Sequence, residues 1–210
     1  PILRTLALIL YGDLDISIID ELPPNRKKIQ TYAVGKNYDE RVNNFIRDQL
    51  SKGRQAYIVC PLVEEGKPEI KVDEQTGEQY IDLKATNTVN LKSVEKLTED
   101  YEKILNGYNV VCLHGKMKSK EKDNIMERFK NGEIDVLVST TVIEVGVDVP
   151  NASLMVIENS ERFGLAQLHQ LRGRVGRGEY ESYCILKYES SNDIVRQRLE
   201  LMVKSDDGFK

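Results

Sequence analysis

The sequence predicts an α/β fold: a parallel β-sheet covered by helices on both faces, with a small inserted β-hairpin. Three observations lead there. Short runs of β-branched and apolar residues recur along the chain, amphipathic helical stripes separate most of them, and one polar stretch breaks the alternation with a hairpin pattern. The 210 residues, 40% hydrophobic and 30% charged, suit a single sizeable globular domain rather than a disordered or membrane-embedded chain.

In chain order, Thr5 to Tyr11 is apolar without clear periodicity and runs into Asp20-Glu21-Leu22-Pro23-Pro24-Asn25-Arg26, which reads as an extended linker. Residues 1–28 are therefore assigned as a linker or remnant of a preceding unit, and residues 29–190 as the domain proper. Buried strands are expected at Ile29 to Val34, Ala56 to Cys60, Val110 to Leu113, Val136 to Ser139, Leu154 to Ile157 and Tyr183 to Leu186. Asn37 followed by Glu40 resembles a capping box, ahead of a helix with Val42, Phe45, Ile46 and Leu50 on one face. A second stripe comprises Val94, Leu97, Tyr101, Ile104 and Leu105, and a third helix, with Ile125 and Phe129, is expected to be capped by Ser119. Between Glu64 and Asn90, Ile70-Lys71-Val72 and Tyr80-Ile81-Asp82-Leu83 flank Thr76-Gly77, so residues 66–88 read as the inserted hairpin. Ile194, Val195, Leu199 and Met202 predict a final amphipathic helix within 191–210, ending near Gly208.

Charge and cysteine usage narrow the function. The 34 acidic and 30 basic residues leave a formal charge of -4, which argues against a wholly basic coating protein yet permits a local basic groove. Cys60, Cys112 and Cys184 are widely spaced, form no CxxC pair, and read as reduced core thiols. With two histidines and no paired cysteines, no metal site is expected. No apolar run reaches the roughly 18 residues of a membrane span, and no signal-peptide pattern opens the chain, so a cytoplasmic protein is the expectation.

Chemistry concentrates in two stretches. The first is Gln170-Leu171-Arg172-Gly173-Arg174-Val175-Gly176-Arg177-Gly178, where three arginines stand among three glycines. Clustered guanidinium groups repel unless an anion is expected, and a polyphosphate would supply it. Arg174 and Arg177 can point to one side and stabilise charge developing on a transferring γ-phosphoryl group. A solvated basic loop, or one gripping nucleic-acid phosphates, is the alternative. The second stretch is the strand Val136 to Ser139 continuing through Thr140-Thr141 to Gly146-Val147-Asp148-Val149-Pro150. Ligands of parallel sheets bind beyond the carboxyl ends of the strands, where this hydroxyl cluster should lie. Ser139 and Thr140 could donate to nucleic-acid phosphates, Gly146 leaves room for close approach, and Asp148 could accept from a ribose or orient an arginine. His114-Gly115 follows another strand, as a strand-end pair or a nucleic-acid contact, and His169 sits beside the arginine loop. The sequence contains no GxxxxGK[ST] loop and no DExx-type acidic box after a strand, so Arg174 and Arg177 have no nucleotide of their own and must reach one held elsewhere.

Taken together, His114-Gly115, Glu127-Arg128-Phe129, Ser139-Thr140-Thr141 through Gly146-Val147-Asp148, and Gln170 to Arg177 resemble in order and spacing the second RecA-like lobe of superfamily 2 helicases. Arg162 to Arg177 looks like the RecG family and its relative, the transcription-repair coupling translocase. His169, where the relative typically has tyrosine, and the opening Arg4-Thr5-Leu6-Ala7-Leu8 through Asp20-Glu21-Leu22-Pro23-Pro24 favour the RecG pattern. That resemblance implies a RecA-like (P-loop NTPase-like) helicase C-terminal lobe. It assigns Gly146, Asp148, Gln170, Arg174 and Arg177 to the nucleotide, with Arg174 and Arg177 as catalytic arginine fingers, and His114, Gly115, Ser139, Thr140 and Thr141 to the nucleic acid.

The same resemblance implies ATP with Mg2+, bound mainly by an N-terminal motor lobe that the chain lacks. Branched DNA such as forks and Holliday junctions, and the N-terminal lobe and wedge domain of the same full-length chain, are the implied partners of a bacterial cytoplasmic monomer. The implied activity is ATP-driven translocation on double-stranded DNA in recombination and repair, with residues 191–210 beginning a translocation hairpin. The chain lacks an initiator methionine and is expected to be a piece that does not hydrolyse ATP alone. A coupling translocase lobe and a non-catalytic phosphate-binding module of the same fold remain the alternatives.

Overall fold

The structure, a computed structural model, describes residues 28–61, 70–72, 79–81, 83–140, 148–190 and 192–204, with side chains described outside 70–93. Eight strands are found among them: β1 (Gln30–Gly35), β2 (Gln55–Val59), β3 (Ile70–Val72), β4 (Gln79–Ile81), β5 (Val110–Leu113), β6 (Val136–Ser139), β7 (Ala152–Ile157) and β8 (Tyr183–Tyr188). The helices are α1 (Asp39–Ser51), α2 (Leu83–Ile104), α3 (Ser119–Lys130), α4 (Leu165–Arg172) and α5 (Asp193–Lys204). Six strands form one sheet in the order β1-β8-β7-β2-β6-β5, and each neighbouring pair is parallel. β3 and β4 pair antiparallel, Ile70 opposite Ile81, as the inserted hairpin.

Helices cover both faces. Val42, Ile46 and Leu50 of α1, with Val94 and Tyr101 of α2, pack on Ala56, Ile58, Val136, Val138, Leu154 and Val156. On the opposite face Met126 and Phe129 of α3, Leu168 and Leu171 of α4, and Leu199 and Met202 of α5 pack on Tyr57, Leu137, Met155, Ile157, Cys184 and Leu186. Central strands sandwiched this way lose the inside-outside alternation of an exposed sheet, and β2, β6 and β7 are buried at every position. All three cysteines are free, and burial pushes the Cys60 and Cys184 thiols up to about 12.

Several local expectations need correction. Lys36–Tyr38 is a 3-10 turn, α1 starts only at Asp39, and no side chain caps it, so Asn37 does not perform the capping role. Ser119 is the first helical residue of α3 rather than its cap; the Glu121 carboxylate accepts the Lys118 N–H at 3.0 Å instead. Leu83 opens α2 rather than closing the hairpin, because Leu, Lys and Ala in succession favour helix over strand. A turn closes α3: Gly132 has φ +78°, a conformation side chains resist, and its N–H donates to the Phe129 carbonyl at 3.1 Å. α5 runs over Asp193–Lys204 and inserts Leu199 and Met202 into the core of the sheet domain. The opening 27 residues, the hairpin tip with Thr76-Gly77, the stretch 141–147 with Thr141 and Gly146, and the end near Gly208 lie outside the described residues.

Candidate functional site

The parallel sheet has two unlike edges, and the predicted residues divide between them. Thr140 immediately follows β6, and His114 immediately follows β5, so both belong to the edge formed by the carboxyl ends of the strands. Asp148 precedes β7, and Arg177 lies between α4 and the start of β8, so both belong to the amino-terminal edge. Five residues of β2 at about 3.3 Å each separate the edges by about 16 Å. The expectation that Asp148 accompanies the hydroxyl cluster is thus corrected. A strand starting at Ala152 in a parallel sheet requires the residues just before it to sit at the opposite edge from Thr140.

At the amino-terminal edge, Arg177 Nη1 stands 3.7 Å from Asp148 Oδ1, and its Nε donates to the Gly173 carbonyl at 3.3 Å. The two side chains are 37% and 54% exposed, so the guanidinium is presented at the surface rather than locked into the sheet. A pair this open is worth at most about 1 kcal/mol, and a polyphosphate can readily compete for the guanidinium. Burial holds the Tyr57 phenol well above its ordinary pKa, while Arg174 and Arg177 pull it down and Asp148 pushes it up. All three charges are thus near enough to the Tyr57 phenol to act on it. Gln170 is exposed on α4.

Arg172 behaves differently from its neighbours. It is buried, donates through Nη1 to the Met202 carbonyl at 3.2 Å, and places Nη2 3.0 Å from His169 Nδ1. Of the three clustered arginines, this one is engaged inside the fold by α4 and α5, so it is not explained by an anion. His169 is its partner.

At the carboxyl edge Ser139 Oγ, Thr140 Oγ1 and His114 Nδ1 have no hydrogen-bond partner among the described residues, and the same is true of Ser160 Oγ and Glu161 Oε2 after β7. Ser139 is fully buried and Thr140 nearly so. A buried hydroxyl left unpaired costs about 1–3 kcal/mol, a cost a fold bears where a ligand completes the bond. Gly115 lies exposed beside His114 in the turn closed by Met117 N–H on the His114 carbonyl at 3.2 Å.

Further along this edge, at the ends of β7 and β8, lies an ionic cluster that sequence reasoning missed. Tyr101 donates its hydroxyl to Glu158 Oε1 at 2.6 Å, and Lys187 Nζ lies 2.8 Å from Glu158 and 3.0 Å from Asp39. Burial works to lower the Lys187 pKa, and the two carboxylates more than reverse it, leaving it raised. The four residues lie far apart in sequence and on four elements, which is why no local pattern announces them. Also missed are Arg54, Gln55, Asn151 and Tyr180, which join at the amino-terminal edge. Gln55, polar at the head of an apolar run, was the one available signal. Among the described residues no group of three or more histidines, cysteines or carboxylates could hold a metal ion, and no helix is long and apolar enough to cross a membrane.

A family profile described as the helicase conserved C-terminal domain matches residues 38–179. The chain is similar to ATP-dependent DNA helicase RecG of Synechocystis sp., 47% identical over 209 residues, covering 100% of this chain and 23% of that protein. Its likeness to RecG of Bacillus subtilis is 45% over 211 residues, covering 100% of this chain and 28% of that one. The chain thus spans about a quarter of the length of these curated relatives. Among solved structures, RecG bound to a three-way DNA junction superposes with a TM-score of 0.75 at 42% identity, over 98% of this chain and 24% of that one. Dbp5 of S. cerevisiae, bound to RNA and ADP BeF3, superposes at 0.60 with 17% identity, over 98% of this chain and 47% of that one, a likeness of fold.

Proposed function

Because the chain belongs to the helicase conserved C-terminal domain family, we propose that it is the second motor lobe of a RecG-type, ATP-dependent translocase on double-stranded DNA. The full-length protein remodels branched DNA, including fork reversal and Holliday-junction processing, in the bacterial cytoplasm. The observation that carries this reading is the division of labour across one sheet. The Arg177 guanidinium presented at the amino-terminal edge and buried hydroxyls without a partner among the described residues at the carboxyl edge are joined by rigid strands. A passive phosphate binder has no use for two polar edges about 16 Å apart. A motor that must convert a change at nucleotide into a change at nucleic acid does.

ATP with Mg2+, held mainly by the first lobe, supplies the phosphoryl group whose transfer drives the cycle. The residues present fit the facing role: Arg177 brings a planar, permanently charged fork to the surface, Arg174 lies three residues before it and is half-buried, and the sequence has no phosphate-cradling loop of its own. Closure of the lobes lets Arg177 exchange its loose bond to Asp148 for phosphate oxygens, where it and Arg174 stabilise charge that grows in the transition state. Asp148 is the loose partner that the guanidinium leaves at that point. At the other edge Ser139, Thr140 and His114 take the DNA backbone, joined by Gly115 and Thr141, while Gly146 is assigned with Asp148 and Gln170 to the nucleotide.

The test is Arg177→Ala and Arg174→Ala in the full-length protein, with ATP hydrolysis measured on forked, linear duplex and single-stranded DNA. DNA-stimulated kcat should fall by about 1000-fold for the finger arginine with DNA affinity nearly intact. Loss of DNA affinity with unchanged kcat would instead establish the phosphate-binding module. Stimulation by linear duplex equal to that by forks would remove the branched-DNA assignment.

A further inference from the structure

We propose that Arg54 is a positioning residue for the Arg177–Asp148 pair, an inference that rests on the motor reading above. Arg54 lies in the turn between α1 and β2, at the amino-terminal edge of the sheet. Its Nη1 donates to Asn151 Oδ1 at 2.7 Å, and its guanidinium carbon lies 3.2 Å from the centre of the Tyr180 ring. Asn151 is three residues beyond Asp148, and Tyr180 is three residues beyond Arg177. One guanidinium therefore ties together the two separate segments that bring the nucleotide-facing charges side by side.

The tie is anchored from below. Asn151 Nδ2 donates to the Gly53 carbonyl at 3.0 Å and to Gln55 Oε1 at 3.1 Å, and its carbonyl accepts the Gln55 N–H at 3.1 Å. Gln55 is buried and donates in turn to the Phe129 and Ile134 carbonyls, at 2.5 and 2.7 Å, which belong to the packed core beneath α3. Arg54 is thus the outermost member of a hydrogen-bonded chain rooted in the core. The Arg177–Asp148 contact is half-exposed and too weak to fix its own geometry, so its alignment must be imposed by what holds the two loops. Arginine suits the position because its edge donates to Asn151 while its face lies on Tyr180, which lysine cannot do simultaneously.

The test compares Arg54→Ala, Arg54→Lys and Tyr180→Ala in the full-length protein, alone and combined with Arg177→Ala. The readouts are kcat and KM for ATP, affinity for a forked duplex, and the unfolding midpoint. Arg54→Ala should lower kcat by about tenfold or more, since misplacement of a catalytic group by a fraction of an ångström is amplified in rate. DNA affinity should hold, Arg54→Lys should recover part of the rate, and the exposed Tyr180→Ala should lose rate without loss of fold. In the Arg177→Ala background Arg54→Ala should cost nothing further, because the group it aims is gone. Wild-type kcat in Arg54→Ala, or an equal loss in both backgrounds, would overturn the inference while leaving the motor reading intact. Wild-type kcat in Arg177→Ala itself would sink the motor reading.

Discussion

Replacing Gly178 by alanine places a methyl group where the chain has no room for one. A Cβ at Gly178 would run into the Pro150 carbonyl oxygen, with the Pro150 carbonyl carbon at 3.2 Å and Cβ at 3.5 Å. The blocking atoms are mainly backbone and cannot rotate aside. An ordinary carbon–oxygen contact needs about 3.3 Å, so the two strands of chain must part by about 1 Å. Gly178 directly follows Arg177, and Pro150 lies two residues after Asp148, so the displacement appears between two charges already 3.7 Å apart. Overpacking of this kind costs about 1–3 kcal/mol of stability, and a 1 Å misplacement at a reacting centre can cost about 100-fold in rate. DNA-stimulated ATP hydrolysis of the full-length Gly178→Ala protein, alongside urea unfolding, reads both. The expectation is a kcat loss of about 100-fold with a modestly lowered unfolding midpoint and unchanged DNA affinity. A stability loss of that size with wild-type kcat would refute the claim that these two loops set the arginine's geometry.

Thr140→Val removes a buried hydroxyl that has no partner among the described residues. Stability should stay level or rise by about 1–3 kcal/mol while affinity for duplex DNA falls, and a destabilised variant with normal DNA binding would mark the hydroxyl as structural. Burial holds Cys60 and Cys184 at about 12, whereas an unfolded thiol titrates near about 8.5. The unfolded chain therefore releases protons first, and stability falls as pH rises from about 8.5 towards 12. The urea midpoint should drop between pH 8 and pH 10, less steeply in Cys184→Ala; an identical slope in that variant would count against the burial argument.

The sheet was legible because its strands are buried on both faces. β5 and β6 have the bounds that their apolar runs suggest, and β7 and β8 extend by two residues into Ala152-Ser153 and Lys187-Tyr188, where polarity hid the strand. Helix starts were harder to read, since Asn37 and Ser119 have capping chemistry but the backbone turns one or two residues away from them. The site divides similarly. Arg174, Arg177, Ser139 and Thr140 stood out because charge and hydroxyls interrupt patterns that packing would have kept apolar. Arg54, Asn151 and Tyr180 did not, because their meaning lies in a meeting of three turns distant in sequence. Arg172 shows the converse error: its neighbours advertise an anion, yet its own guanidinium is spent on the Met202 carbonyl and His169.

The direct test of two working edges on one sheet is amide hydrogen exchange of the full-length protein with a non-hydrolysable ATP analogue alone and with forked DNA alone. The analogue should slow exchange around residues 173–180, and DNA should slow it around 114–117 and 139–140. Protection of 173–180 by DNA without nucleotide, with no change at 139–140, would mean that the arginines grip the nucleic acid and that the sheet does not transmit between two ligands.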